Sequence, residues 1–233
     1  KATLETALML QKLGHDVDED VPEIDGRNLA MSYLSMYFGE VAADIDELGG
    51  VLGRKACPDD VETLTWTLGM LGKATSAFSF VKAIRQWGQA SRAMARFHEK
   101  YDVYLTPTMA YPPIRVGALK LKPLENTALK IVSTLGLGKL LKRTGFVEKL
   151  AIENLAKTPF TQLANFTGQP AMSVPLQLTS DGMPCGMQFM APMGDEATLF
   201  RLARQLEEAK PWFDKRPGLK DSYTACHNNV PKI

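Results

Sequence analysis

Ser173, between Met172 and Val174, and the histidines His15, His98 and His227 are among the side chains of this chain that could do nucleophilic or acid–base chemistry. A serine acts as a nucleophile only with a base in hydrogen-bonding reach, and an imidazole base needs a third group to orient it. The three histidines fall in an acidic extended stretch, at the polar end of a helical pattern and in the C-terminal tail, so they do not suggest a triad or a metal site. Ser173 reads as a small core-facing strand residue. No G-x-S-x-G, H-E-x-x-H, G-x-G-x-x-G or Walker loop occurs. Cys57, Cys185 and Cys226 are widely spaced, without a CxxC pair, which argues against a disulfide framework or a zinc site and for a reducing compartment. Asn165-Phe-Thr167 matches the glycosylation sequon, but inside an apolar stretch it reads as accidental. Thr106 and Thr108 end a short apolar run, where α/β proteins commonly place ligand contacts. The alternative is that they satisfy loop backbone.

Several elements must position these residues. Lys1 to Leu13 has Leu4, Leu8 and Leu10 on one side and reads as a helix ended by Gly14. His15 to Pro22 alternates acidic and apolar residues, as an edge strand does. Leu29, Tyr33, Met36, Tyr37 and Val41 mark a helix from Gly26 to Leu48, broken by Gly49-Gly50. Pro58 suits the first turn of another helix. Ser76 can cap a long helix carrying Phe80, Ile84, Trp87, Met94 and Phe97. Asp102 to Pro107 reads as a buried strand and Thr108 to Pro113 as a loop. From Ala118 to Lys157, leucines and lysines interleave over two or three short helices separated by Gly136, Gly138 and Gly145. Ala171–Leu178 and Cys185–Ala191 flank an Asp-Gly turn and read as a hairpin. Asp195-Glu196 opens a helix with Leu199, Leu202 and Leu206 inside, and 213–233 reads as a loose tail.

The chain has 233 residues, 45% apolar and 23% charged, with a formal net charge of +1. That is enough to bury a core, and it gives no general electrostatic case for nucleic acid or membrane. No apolar run of membrane-spanning length occurs, and a cytoplasmic location is the expectation. The absence of an initiating Met leads to the expectation that the chain is truncated.

Two blocks carry a resemblance. Tyr101-Asp-Val-Tyr-Leu-Thr-Pro-Thr108 is the first. The second runs from Thr158 to Trp212, where Asn-Phe-Thr-Gly-Gln-Pro, Ser-Val-Pro, Asp-Gly-Met-Pro-Cys-Gly-Met-Gln and Asp-Glu-Ala-Thr-Leu follow in order. Together they resemble the closing segment of the amidase signature family of Ser-Ser-Lys amide hydrolases. The stretch from Gly26 to Lys100 is similar to the branch that includes the 6-aminohexanoate cyclic dimer hydrolases. The resemblance implies an α/β fold, a mixed β-sheet flanked by helices, with residues 1–233 as the C-terminal portion of a single amidase domain. It also implies that a serine, activated through a second serine and a lysine, forms an acyl-enzyme with the amide substrate. No counterpart of that nucleophile loop or lysine is recognised here, so no catalytic residue is assigned and no cofactor is expected.

What this portion would supply is the wall of the acyl pocket: Thr106 and Thr108, with Thr158, Phe160, Gln162 and Asn165 at the family's pocket-lining turn. The alternative for these side chains is loop satisfaction and, for Phe160, plain core packing. Where amidotransferase subunits of the family tend to carry an acidic residue, this chain has Thr158, which speaks against that role. A non-catalytic binding or scaffold module is the other reading. Expected partners are the N-terminal half of the same enzyme and a small amide, with homo-oligomerisation a consequence of an uncovered apolar face. Residues 118–157 are expected to be a lid or a solvated insert in preference to a membrane contact.

Overall fold

The computed structural model describes residues 1–118, 120, 122–180 and 182–215. Asp181 of the Asp-Gly turn, Cys226, His227 and all but 213–215 of the tail lie outside the described residues. Two layers position the rest: a small sheet with helices on both faces, and a helical group beside it.

The sheet contains β1 (Tyr104–Pro107), β2 (Ala171–Leu178) and β3 (Pro184–Met190) in the order β1-β3-β2, and both pairings are antiparallel. The parallel pairs that would make it mixed are not among the described strands. Alternation along β3 sends Met187 and Phe189 to one face, where they meet Leu10 of α1 (Ala2–Lys12) and Leu199, Leu202 and Leu206 of α9 (Glu196–Ala209). The other face carries Tyr104 and Met190 and packs on Met94 of α4 (Ala77–Phe97) and Leu163 of α8 (Pro159–Thr167). Pro175 interrupts the register of β2 between Val174 and Gln177. A proline has no N–H to give a ladder, and an edge strand tolerates the bulge. Just past it, buried Gln177 donates to Thr6 Oγ1 at 3.2 Å and accepts from Lys210 Nζ at 3.0 Å, tying β2 to the helices around it.

The helical group is built on α2 (Gly26–Leu52) and α3 (Thr63–Lys73), joined by a short 3-10 turn at Pro58–Asp60. Against them lie α5 (Pro123–Thr134), α6 (Gly138–Thr144) and α7 (Phe146–Leu155), through Leu34, Phe38, Leu71, Leu129 and Leu141. Asp25 caps α2 through Asn28 N–H, and Ser76 caps α4 through Ser79 N–H, as its position in the sequence suggests. No described helix is long and apolar enough to cross a membrane.

Five sequence expectations are corrected. His15–Pro22 is not a strand: it is extended but no described strand offers it a ladder. The helix from Gly26 does not break at Gly49-Gly50 but runs to Leu52 and ends at Gly53, whose φ is 65°. Gly49 is held close to the returning chain, where a Cβ would lie 3.2 Å from the Arg54 carbonyl oxygen, so packing overrides the roughly 1 kcal/mol helix penalty of glycine. The proline at 58 starts only the 3-10 turn, and α3 follows at Thr63. On α1 the buried residues are Thr6 and Leu10, while Leu4 and Leu8 are exposed. On α4 the small residues Ala83, Ala90 and Ala93 are buried beside Met94, leaving Ile84 and Trp87 exposed. Hydrophobic spacing marks a helix but cannot say which of two apolar flanks a neighbour covers.

The α2–α3 turn carries a pH prediction. Arg54 grips Asp60 with both guanidinium nitrogens, at 2.8 and 2.7 Å, and the Asp60 carboxylate also accepts from Cys57 N–H at 2.7 Å. Arg54 first, then the Cys57 amide, hold Asp60 well below the usual carboxylate range. A group depressed in the folded state stabilises above its unfolded value, about pH 4, and loses that contribution as pH falls toward the folded one. The destabilisation caused by Asp60→Asn is therefore expected to be largest near neutrality and to shrink below about pH 4. Parallel urea titrations of the two proteins at pH 7 and pH 3 measure it. An equal difference at both pH values contradicts it.

Candidate functional site

The site forms where the end of β1 meets α8. Pro159 starts α8 at its first turn and Gly168, with φ 72°, ends it. The segment expected as the family's pocket-lining turn is thus a helix, because Leu163, Ala164 and Phe166 find a common buried side on the sheet and α4. Two strands feed the same place. Thr108 N–H donates to the Gly186 carbonyl at 2.9 Å, extending the β1–β3 ladder one residue past Pro107. Ala110 N–H donates to the Lys157 carbonyl at 3.0 Å, which fastens the loop after β1 to the start of α8.

On this face the candidate side chains separate into three small groups. Thr106 is buried and accepts a hydrogen bond from Gln188 Nε2 at 3.3 Å; the same amide donates to the Phe160 carbonyl at 3.2 Å. Gln188 therefore bridges β1, β3 and α8. Thr158 accepts from Gln162 Nε2 at 3.4 Å, and Gln162 also donates to the Leu155 carbonyl at 3.1 Å. Thr108 Oγ1 and Ser173 Oγ lie 2.6 Å apart, either able to donate. Asn165 stands exposed between buried Ala164 and Phe166.

Gly186 permits the hydroxyl pair. Thr108 belongs to the strand on one side of β3 and Ser173 to the strand on the other, and a Cβ at Gly186 would lie 2.8 and 2.7 Å from their oxygens. Ser173 is exposed on this face and does not point into the core, which corrects the sequence reading. The reason is register: Ser173 sits opposite Gln188, on the α8 face, while its neighbour Val174 pairs with Met187 on the apolar face. Gln188 is the residue that sequence reasoning misses for this site, and Ser173 the one it turns toward the core. Strand alternation within Gly186-Met-Gln-Phe-Met190 was the available signal, since it puts Gln188 on the face opposite Met187 and Phe189.

Gly186→Ala is expected to cost about 1–3 kcal/mol by overpacking this layer. Ser173→Ala in the same chain should return part of that loss, since one of the two close oxygens is gone. A double-mutant cycle in urea reads the coupling, and strict additivity would refute the arrangement.

The electrostatics here are quiet. Burial pushes the Tyr104 phenol up, so it stays neutral beside the site. His98 uses Nδ1 on the Tyr101 carbonyl at 2.9 Å, and His15 Nε2 contacts Gln205 at 2.7 Å, so both act as local connectors away from Ser173. Among the described residues no group of three or more His, Cys, Asp or Glu side chains is placed to hold a metal ion. What the face presents is the neutral Thr108–Ser173 hydroxyl pair, while the Gln188 and Gln162 amides are engaged with protein partners.

The amidase family model matches residues 1–200. The chain belongs to the amidase signature family. It is 31% identical over 215 residues to the 6-aminohexanoate-cyclic-dimer hydrolase of Pseudomonas sp. (strain NK87), covering 91% of this chain and 40% of that protein. It is 28% identical to the lipoamidase of Enterococcus faecalis, over 89% of this chain and 28% of that enzyme. A solved 6-aminohexanoate cyclic dimer hydrolase superposes with a TM-score of 0.74 at 29% identity, over 93% of this chain and 42% of that one. The family relationship and the cyclic-dimer-hydrolase branch agree with the sequence motifs. This amidase-family chain spans about 40% of the length of the curated hydrolases it matches.

Proposed function

We propose that residues 1–233 are the C-terminal, pocket-forming half of a serine amidase that hydrolyses carboxylic amides, with the Ser-Ser-Lys groups on polypeptide outside these residues. The observation that carries this reading is the family match along most of the chain combined with its 40% span of the matched hydrolases. In the reaction, a serine oxygen attacks the amide carbonyl, the amine leaves with a proton, and water then releases the acid from the acyl-serine. This half would contribute a wall: Thr108 and Ser173 present paired hydroxyls, while Gln188 fixes Thr106 and the Phe160 carbonyl behind them.

An open groove supports the partner part of the reading. It encloses about 1290 Å³ between α1, α9, the 15–20 segment and β1, lined by Leu4, Leu8, Val17, Val103, Leu105 and Leu202 among others. Since Thr108 N–H turns toward β3, alternation turns the Leu105 backbone the other way, into the groove. A strand from the remainder of the amidase domain would find there both a backbone ladder and an apolar floor.

The test is an assay on the 6-aminohexanoate cyclic dimer and on nitroanilide amides. Residues 1–233 alone should leave both intact. Co-expression with the part of the Pseudomonas hydrolase that this chain does not match should give turnover, which Leu105→Pro, by disrupting the open edge, should abolish. Turnover by the chain alone that Ser173→Ala removes would overturn the proposal.

A further inference from the structure

Helix α5 is apolar on two adjoining sides. Its inner side sets Leu129 and Val132 against the Leu34, Phe38, Leu71 and Leu141 cluster. Its outer side carries Leu124, Ala128, Ile131 and Leu135, spaced by four, three and four residues, which is a single stripe along a helix. The stripe faces solvent: Leu124 is 81% exposed, Ile131 56% and Leu135 63%. Past Gly136, whose φ is 66°, exposure continues at Leu137 and at Leu140 of α6. Single exposed leucines are ordinary, but a continuous stripe of them marks a contact surface, and a solvated insert would be polar there.

The charges around the stripe choose the partner. From 120 to 143 there are six cations, Lys120, Lys122, Lys130, Lys139, Lys142 and Arg143, and one acid, Glu125. Glu125 is occupied at the helix start, accepting from Lys122 N–H at 2.9 Å, and Lys142 is held by Thr75 at 2.7 Å. Leu140 sits next to Lys139 and three residues before Arg143, so basic residues flank it in sequence and along the helix. Two copies meeting through this stripe would oppose basic flank to basic flank, whereas an anionic lipid surface would neutralise both flanks at once.

We propose that α5 and α6 rest on an anionic membrane surface, with Leu124, Ile131, Leu135 and Leu140 at the headgroup–acyl boundary and the cations other than Lys142 among the lipid phosphates. The contact is interfacial and reversible and spans nothing, and under the amidase reading it requires that the remainder of the domain leave this stripe open. It differs from the sequence expectation of a lid or solvated insert, and it rests on the exposure of Leu124, Ile131, Leu135 and Leu140.

Sedimentation of residues 1–233 with vesicles of phosphatidylcholine alone, and of phosphatidylcholine with phosphatidylglycerol, tests it. Binding should be at least about tenfold stronger on the anionic vesicles and should weaken as salt shortens the screening length. The exposed-site double substitution Ile131→Asp with Leu135→Asp should release the protein, while Leu4→Asp in the α1 groove should not. In Leu135→Trp, tryptophan emission should shift to the blue on anionic vesicles. The proposal is overturned if the double variant sediments like the parent, if neither vesicle is bound, or if those substitutions instead dissociate a dimer, which would assign the stripe to a second copy.

Discussion

Replacing Gly72 by alanine is expected to lower the unfolding free energy by about 3 kcal/mol, at the upper end of overpacking costs. Gly72 is where α3 crosses α2, and a Cβ there would fall onto the Phe38 carbonyl and close to Ala42. Those atoms belong to the α2 backbone and a short side chain, so relief requires moving one helix from the other. The roughly 1 kcal/mol that alanine gains over glycine inside a helix is too small to compensate. Gly69 lies one turn earlier and is the control. Its added Cβ would approach the Ile45 Cδ1 atom at 2.5 Å, the far end of a flexible side chain that can turn aside. Gly69→Ala should therefore cost clearly less than Gly72→Ala. Because α5, α6 and α7 dock on this same pair, Gly72→Ala should also raise amide hydrogen exchange across 123–155. Urea midpoints ranked the other way, or exchange changes confined to α3, would show that the helices are not held by this contact.

Phe189→Ala is expected to cost about 4 kcal/mol, within the range for removing a buried aromatic. Phe189 is fully buried near the end of β3, the central strand of the sheet, pairing with Leu105 on one side and Met172 on the other. Its ring fills the space between the sheet and α1 and α9. Losing it leaves a cavity at the strand that also carries Gln188, one residue away on the opposite face, so the Gln188 bonds to Thr106 and Phe160 should loosen with it. Phe200 of α9 offers the comparison: it is exposed, and its replacement by alanine should change stability by less than about 0.5 kcal/mol. Equal losses at the two phenylalanines would place the core elsewhere.

Much of the site was legible because local chemistry and tertiary demand agreed there. The run ending at Pro107, the hairpin around Gly182 and the helix opened by Asp195 all appear where turn residues and alternation put them, and Asp195 accepts from Thr198 N–H at 3.2 Å as a cap should. Thr106, Thr108, Thr158, Phe160 and Gln162 do gather around the β1–α8 junction. Gln188, which joins Thr106 to the Phe160 carbonyl, was not read from the sequence: alternation gives its face, but its partners follow only from the β1–β3 register and the docking of α8.

The sequence by itself determined the family, the order of most elements and the caps that start α4 and α9, because these depend on residue types within a few positions of one another. Only the tertiary structure decided which apolar side of α1, α4 and α5 is covered, that Ser173 looks outward beside Thr108, and that α2 continues through two glycines. Each of those outcomes is set by a neighbour distant in sequence: the backbone of Arg54 behind Gly49, the bare Cα of Gly186 under two hydroxyls, and the absence of any described element over Leu124, Ile131 and Leu135. Periodicity gives a helix its faces, and packing free energy assigns each face its surroundings.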